Sequence, residues 1–199
     1  LRLRDIRSND KAALVRFHQH LSEDTRYRRY HAAKGDLTTS DLRYLTEIDG
    51  HHHVAIVAEI PPLELDGIAG PVADFVGVPD VAELAGVARI VSDPAHPGEA
   101  EVAIVVRDDI HGRGLGVDLI EGVLDRGRRE GVRTVVAQVQ ADNHRALRLF
   151  QGMGFHQRTG HGPVVELVRA LEARLLALGG ELHYATPVTG IARHGHRRA

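Results

Sequence analysis

The chain has 199 residues, enough for one domain with a real core, and a formal net charge of -2, which provides no basic field of the kind that attracts nucleic acid. It has no cysteine. That excludes a disulfide framework, a thiol nucleophile and cysteine-ligated metal, and it is compatible with the cytoplasm, the expected location. No apolar run approaches a membrane span and the first residues lack a signal peptide's apolar segment, so no membrane partner is expected.

Leu1 to Arg7 suits a short edge strand. Ser8 or Asn9 is placed to cap a helix carrying Ala12, Leu14, Val15 and Phe17. Ser22, Glu23 and Asp24 start a second helix, whose run Arg26-Tyr27-Arg28-Arg29-Tyr30 suits contact with an anionic ligand but reads first as an exposed basic face. Thr39, Ser40 and Asp41 open a third, through Leu42, Leu45 and Ile48. His53 to Ile60 is a strand. His51 and His53 share one face of it, but two imidazoles without a carboxylate at set spacing predict no metal site. Pro61 to Asp80 holds four of the eight prolines and reads as a long irregular loop.

Val81 to Val91 regains strand character, and the turn from Ser92 to Gly98 joins it to the next strand as an antiparallel hairpin. That next stretch, Glu99 to Gly116, organises the chain. Val102 to Val106 is apolar and mostly β-branched, as in a buried strand. His111-Gly112-Arg113-Gly114-Leu115-Gly116 is a glycine-rich turn, and Leu115, Leu119, Val123 and Leu124 then fall at helical spacing. A strand, a glycine-rich loop and a helix in that order make an anion site, because bare amides at the helix N-terminus face the loop. The spacing is not that of a Rossmann dinucleotide loop. Thr134 to Val139 is a further strand, and Asn143 caps a helix through Phe150 that stops at Gly152-Met153-Gly154. Beyond Phe155, His156 to Arg158 and Val164 to Val168 suit strands, while Val164, Leu167, Val168, Leu171, Leu175 and Leu178 also fit one helical face. Glu181 to Val188 reads as a strand, and Arg193 to Ala199 as a frayed end.

The strand, the His111–Gly116 loop, the helix, and the Asn143 helix ending in Met153-Gly154-Phe155 resemble the GNAT family of N-acetyltransferases. The family's loop begins with Gln or Arg where His111 stands here, while Gly114 and Gly116 match. Leu21 to Tyr27, Leu45 to Asp49, His53 to Ala58 and Glu99 to Ala103 look like its bacterial protein-lysine acetyltransferase branch. The resemblance implies an α/β fold, a mixed and mostly antiparallel sheet flanked by helices, with an acetyltransferase domain over residues 1-160 and an irregular helix–strand extension over 161-199. It implies acetyl-CoA as co-substrate, and a protein lysine or a small amine (an aminoglycoside among them) as acceptor. A CoA-binding domain without catalysis is the reading from a different class. A homodimer is a further expected partner.

Within that resemblance, Gly112, Gly114 and Gly116 let backbone amides approach a pyrophosphate, with His111, Arg113 and Leu115 beside them. Ile104, Val105 and Val106 pair with the pantetheine arm as an added strand would, and an N–H near Val105 or Val106 polarises the thioester carbonyl. Glu101 is the expected catalytic base and Glu99, on the same face, its rival. Asn143 and Phe150 are expected against the co-substrate. Phe150 stands where many members carry a tyrosine that protonates the leaving thiolate. Phenylalanine has no proton to give, so the thiolate leaves unassisted or another group serves.

Overall fold

The computed structural model describes residues 1–30, 35–60, 83–159 and 162–171. The sequence expectations for 61–82, and those for 172–199, lie outside these residues. The elements are β1 (Arg2–Asp5), α1 (Lys11–Gln19), α2 (Glu23–Tyr30), α3 (Thr39–Thr46), β2 (His53–Ile60), β3 (Glu83–Ser92), β4 (Glu99–Val106), α4 (Leu115–Arg129), β5 (Thr134–Gln140), α5 (His144–Gly152), β6 (His156–Thr159) and β7 (Val164–Ala170). Seven strands form one sheet in the order β1-β2-β3-β4-β5-β7-β6, antiparallel except where β4 meets β5. That parallel pair is joined through α4, the long crossover that parallel strands require.

Two apolar clusters cover the two faces of the sheet. On one, α4 buries Leu115, Leu119, Ile120, Val123 and Leu124, the stripe of an amphipathic helix, against Val54, Ile56, Ile90, Val102 and Val135. On the other, α1 and α3 bury Leu14, Phe17 and Leu45 against Ala55, Val57, Leu84 and Val87. The strands alternate between these clusters, so Ile104 and Val106 pack toward the α4 face and Val105 toward the other.

Three expectations change. Thr38, not Thr39, caps α3, its hydroxyl oxygen accepting from the Asp41 N–H at 3.1 Å. The first helix is entered through a tight turn, Ser8–Asp10, and Asp10 rather than Ser8 or Asn9 stands at its N-terminus. The Asp10 carboxylate turns back to accept from the Arg7 N–H at 2.7 Å and from Arg4 at 2.7 and 2.8 Å, with Glu59 completing the pairing of Arg4. The segment 164–170 is a strand, not the start of a helix. It lies between β5 and β6, so the sheet extends past residue 160. Leu167 packs into the α4-side cluster and Val168, on the opposite face of the strand, is buried too, which produces a contiguous apolar pair that also fits helical spacing.

Candidate active site

The site arises where β4 and β5 part. Their parallel ladder has three pairs, from Glu99↔Thr134 to Glu101↔Val136, while β4 continues to Val106. Past Glu101, the β5-side edge of β4 is therefore open. The hydrogen bonds flanking the β3–β4 ladder fix which amides face that opening. Arg107 N–H donates to the Ala85 carbonyl at 2.9 Å and Asp93 N–H to the Glu99 carbonyl at 3.0 Å. With the unbroken register between them, the odd-numbered residues of β4 bond to β3, and Ile104 and Val106 direct their N–H groups to the open side. Of the two candidate amides, geometry selects that of Val106.

A cavity of about 620 Å³ occupies the opening, lined by Ile104, Val105 and Val106, by Ile110 to Gly112 and Gly114 to Gly116 of the loop, by 142–146 and Leu149, and by α2. Gly112 and Gly114 have φ of +81° and +83°, a left-handed conformation that bulky side chains rarely adopt, and a Cβ built on either meets nothing within 4 Å. The space over these amides is free for a ligand's oxygens at the N-terminus of α4, so a diphosphate fits. Asn143 caps α5, its Oδ1 accepting from the Ala146 N–H at 3.1 Å, and lines the cavity as well.

His111 has a different part from the one expected. Its Nε2–H donates to the Val106 carbonyl at 3.0 Å and its Nδ1 accepts from Arg145. Those two contacts fit a neutral ring that ties the loop to the end of β4 and aims Arg145. Arg113 is exposed and does not line the cavity. Phe150 is not in the cavity either. It is 3 % exposed in the core, its ring edge-on to Phe155 with centroids 5.0 Å apart, so the helix turn that faces the cavity presents Ala146 and Leu149 instead.

The two glutamates separate clearly. Glu99 is held by Arg158 at 2.8 and 3.1 Å, and that hydrogen-bonded cation keeps its carboxyl below the usual range. Glu101 is exposed and makes no hydrogen bond or ion pair among the described residues. It shares a face with Val105, four residues along the strand, about 13 Å between Cα atoms.

The basic run of α2, expected on an exposed face, turns inward. Arg28 and Arg29 line the cavity. Arg28 bridges Asp24 at 2.7 Å and Asp142 at 3.0 Å, pinning α2 to the loop before α5. Asp108 accepts from Ser22 N–H at 2.9 Å and from the Thr25 hydroxyl at 2.6 Å. Burial pushes the Asp108 carboxyl up, but these donors together outweigh it and hold it low. The acidic groups of the cavity wall are thus satisfied, which leaves Arg29 and Arg145 as its cations with no carboxylate partner among the described residues. Sequence reasoning missed Arg145 and the inward turn of α2. A signal for Arg145 was its place in the first turn after the Asn143 cap.

His51, His52 and His53 each have a partner of their own: Glu130 at 2.7 Å, Asp49 at 3.2 Å and Arg89 at 3.0 Å. Among the described residues, no group of three or more ligating side chains is placed to hold a metal, and no helix is long and apolar enough to cross a membrane.

The profile of the acetyltransferase (GNAT) family matches residues 16–155. Acetyltransferase Pat of Mycolicibacterium smegmatis is 31 % identical over 134 residues, 67 % of this chain and 34 % of that protein. The L-methionine sulfoximine/L-methionine sulfone acetyltransferase of Pseudomonas aeruginosa is 36 % identical over 58 residues, 29 % of this chain and 34 % of that one. The chain thus matches about a third of the length of each of these curated relatives. The crystal structure of the GNAT domain of S. lividans PAT superposes with a TM-score of 0.70 at 26 % identity, covering 85 % of this chain and 89 % of that one. Sequence profile and fold agree, and the chain belongs to the GNAT family of acetyltransferases.

Proposed function

We propose that this chain is an acetyl-CoA-dependent N-acetyltransferase in which Glu101 serves as the base. The observation that carries this reading is the opening between β4 and β5, with the Val106 amide directed into it and the Gly112–Gly114 amides at one end. Acetyl-CoA supplies a thioester whose acetyl group is open to attack by an amine. The loop amides and Arg145 hold the diphosphate, and the edge of β4 aligns the pantetheine arm. The Val106 N–H stabilises the negative charge that develops on the carbonyl oxygen. An alkylamine of pKa about 10.4 is almost wholly protonated at neutral pH, so Glu101 takes the proton. A nitrogen–carbon bond forms, the carbon–sulfur bond breaks, and the thiolate leaves without a donor at position 150.

A protein lysine as acceptor is supported by the likeness to acetyltransferase Pat over most of the domain. A small amine is supported by the likeness to the methionine sulfoximine acetyltransferase. Release of free thiol from acetyl-CoA, measured with protein and small-amine acceptors beside calorimetry of acetyl-CoA binding, tests the reading. Glu101→Gln should lower turnover by about 10²–10⁴-fold while acetyl-CoA binds as before. Near-normal turnover would remove Glu101 from the mechanism, and absence of acetyl-CoA binding to the unaltered chain would remove the reading itself.

A further inference from the structure

Several arginines of the molecule are matched to carboxylates. Arg4 has Asp10 and Glu59, Arg107 has Glu83 and Asp109, Arg28 has Asp24 and Asp142, and Arg158 has Glu99 and Glu166. On the sheet face opposite α4 several are not, Arg16 of α1 among them, with Nε and Nη2 both buried and unpartnered, and two of these stand near Glu101. Arg89, in the middle of β3, is 4 % exposed, and its hydrogen-bond partner is the neutral Nε2 of His53 at 3.0 Å. Arg29 of α2 lines the cavity and lies over the Tyr30 ring at 5.4 Å. Neither makes a hydrogen bond or ion pair with a carboxylate among the described residues, and the one carboxylate whose charge acts on Arg29 is that of Glu101 itself. One turn back on α2, Arg26 Nε is buried with no hydrogen-bond partner.

An uncompensated cation in a desolvated place is costly, and a second one nearby raises the cost. Burial first, and then the charge of Arg29, push Arg89 down to about 10. Such an arrangement is completed by an anion. Its position is informative: Arg89 stands opposite Ala103 and Glu101 is two residues back on β4, so Arg89 and Glu101 are diagonal neighbours on one face, about 7–8 Å apart.

We propose that Arg29 and Arg89 form the acceptor's anion site, and that it takes the α-carboxylate of a small amino acid whose amine lies at Glu101. The proposal rests on the N-acetyltransferase reading and narrows its acceptor. In an α-amino acid the amine and carboxylate are separated by one carbon, which suits a base on β4 beside one guanidinium on the adjacent strand β3 and another on α2. A protein lysine carries no anion along its stem, and the nearest carboxylate sits on another residue.

The test compares each proteinogenic amino acid other than cysteine, whose own thiol the assay would read, with its α-amide in free-thiol release by the full chain. The amide keeps the side chain and the amine but loses the charge. Its amine is also less protonated at neutral pH, which works against the expected result. The best free acid should exceed its amide in kcat/KM by about tenfold to a hundredfold, Arg29→Gln should bring that ratio close to one, mainly through KM, and Arg29→Lys should restore part of it. The proposal falls if no acid outperforms its amide, if the preference survives in Arg29→Gln, or if lysine peptides exceed every free amino acid in kcat/KM with the unaltered chain. In each of those cases acetyl transfer to some amine can still be present. Failure to bind or cleave acetyl-CoA at all overturns both readings.

Discussion

The two faces of the sheet solve different problems. The α4 face is packed from apolar side chains, and its site is made of backbone: glycine amides, the Val106 N–H and a helix N-terminus. The opposite face holds the smaller cluster and every buried polar residue among those described, Asp10, His18, Thr46 and Arg89. A donor site of fixed amides needs little more than a stable frame beneath it. An acceptor site that discriminates between amines needs side-chain charge, and placing charge inside costs stability that the apolar face must supply.

If that division is right, the frame should fail first at the apolar face. Phe150 and Phe155 pack edge to face under α5, and the same helix carries Asn143 and Arg145 to the cavity. Phe150→Ala should lower the unfolding free energy by about 3–5 kcal/mol, measured by urea denaturation. A loss below about 1 kcal/mol would mean that the pair is not a core contact. Phe150→Tyr sharpens the point. A tyrosine directed toward the cavity would accelerate thiol release, whereas a hydroxyl buried without a partner costs about 1–3 kcal/mol and gives no acceleration.

The backbone site should respond in binding rather than in folding. Gly114 sits at φ +83° just before α4, with open space where a Cβ would lie. Valine there brings strain of about 1–3 kcal/mol and leads the loop to turn its amides away. Gly114→Val should weaken acetyl-CoA binding by about tenfold to a hundredfold by calorimetry. Gly114→Asn, which tolerates the left-handed region, should lose less. Equal binding by all three forms would show that the amides at this turn do not hold the diphosphate.

The same division explains what the sequence disclosed. The glycine loop, the apolar strand before it, the Asn143 cap and the β3–β4 hairpin are local signals, each confined to a few residues, and each is found in the expected place. The opposite face is assembled from α1, α2, α3, β3 and β4, and nothing in Arg89 or Arg29 alone distinguishes an inward guanidinium from a solvated one. The run from Arg26 to Tyr30 read as exposed because its periodicity is polar, yet it faces a cavity that is itself polar. Phe150 was assigned to the cavity by its place in a motif, and the helix phase turned it into the core. The tail misled for a related reason: a strand with Leu167 and Val168 both buried loses its alternation there, and Val164 to Leu171 then fits a helix as well as a strand.

The smallest effect is the most specific to the polar face. His53 lies between Arg89, at 3.0 Å, and the Tyr44 ring, 5.0 Å between centroids, with Asp49 nearby. Burial first, then the charge of Arg89, push its pKa down to about 4, against a weaker upward pull from Asp49. The unfolded chain takes up this proton near pH 6.5 and the folded chain only near pH 4. Between these values the unfolded state binds more protons, so the contribution of His53 to stability is present above pH 6.5 and is lost as pH falls toward 4. His51 and His96, raised chiefly by the hydrogen bonds they donate to Glu130 and Asp93, act in the opposite direction from exposed positions. The clean observable is therefore the difference between the unaltered chain and His53→Gln. That difference should move by about 1–2 kcal/mol in favour of His53→Gln between pH 6.5 and 4.5, followed by urea denaturation. A difference that stays flat through this window would mean that His53 protonates freely. The face around Arg89 would then be open to water, and its guanidinium would need no anion to complete it.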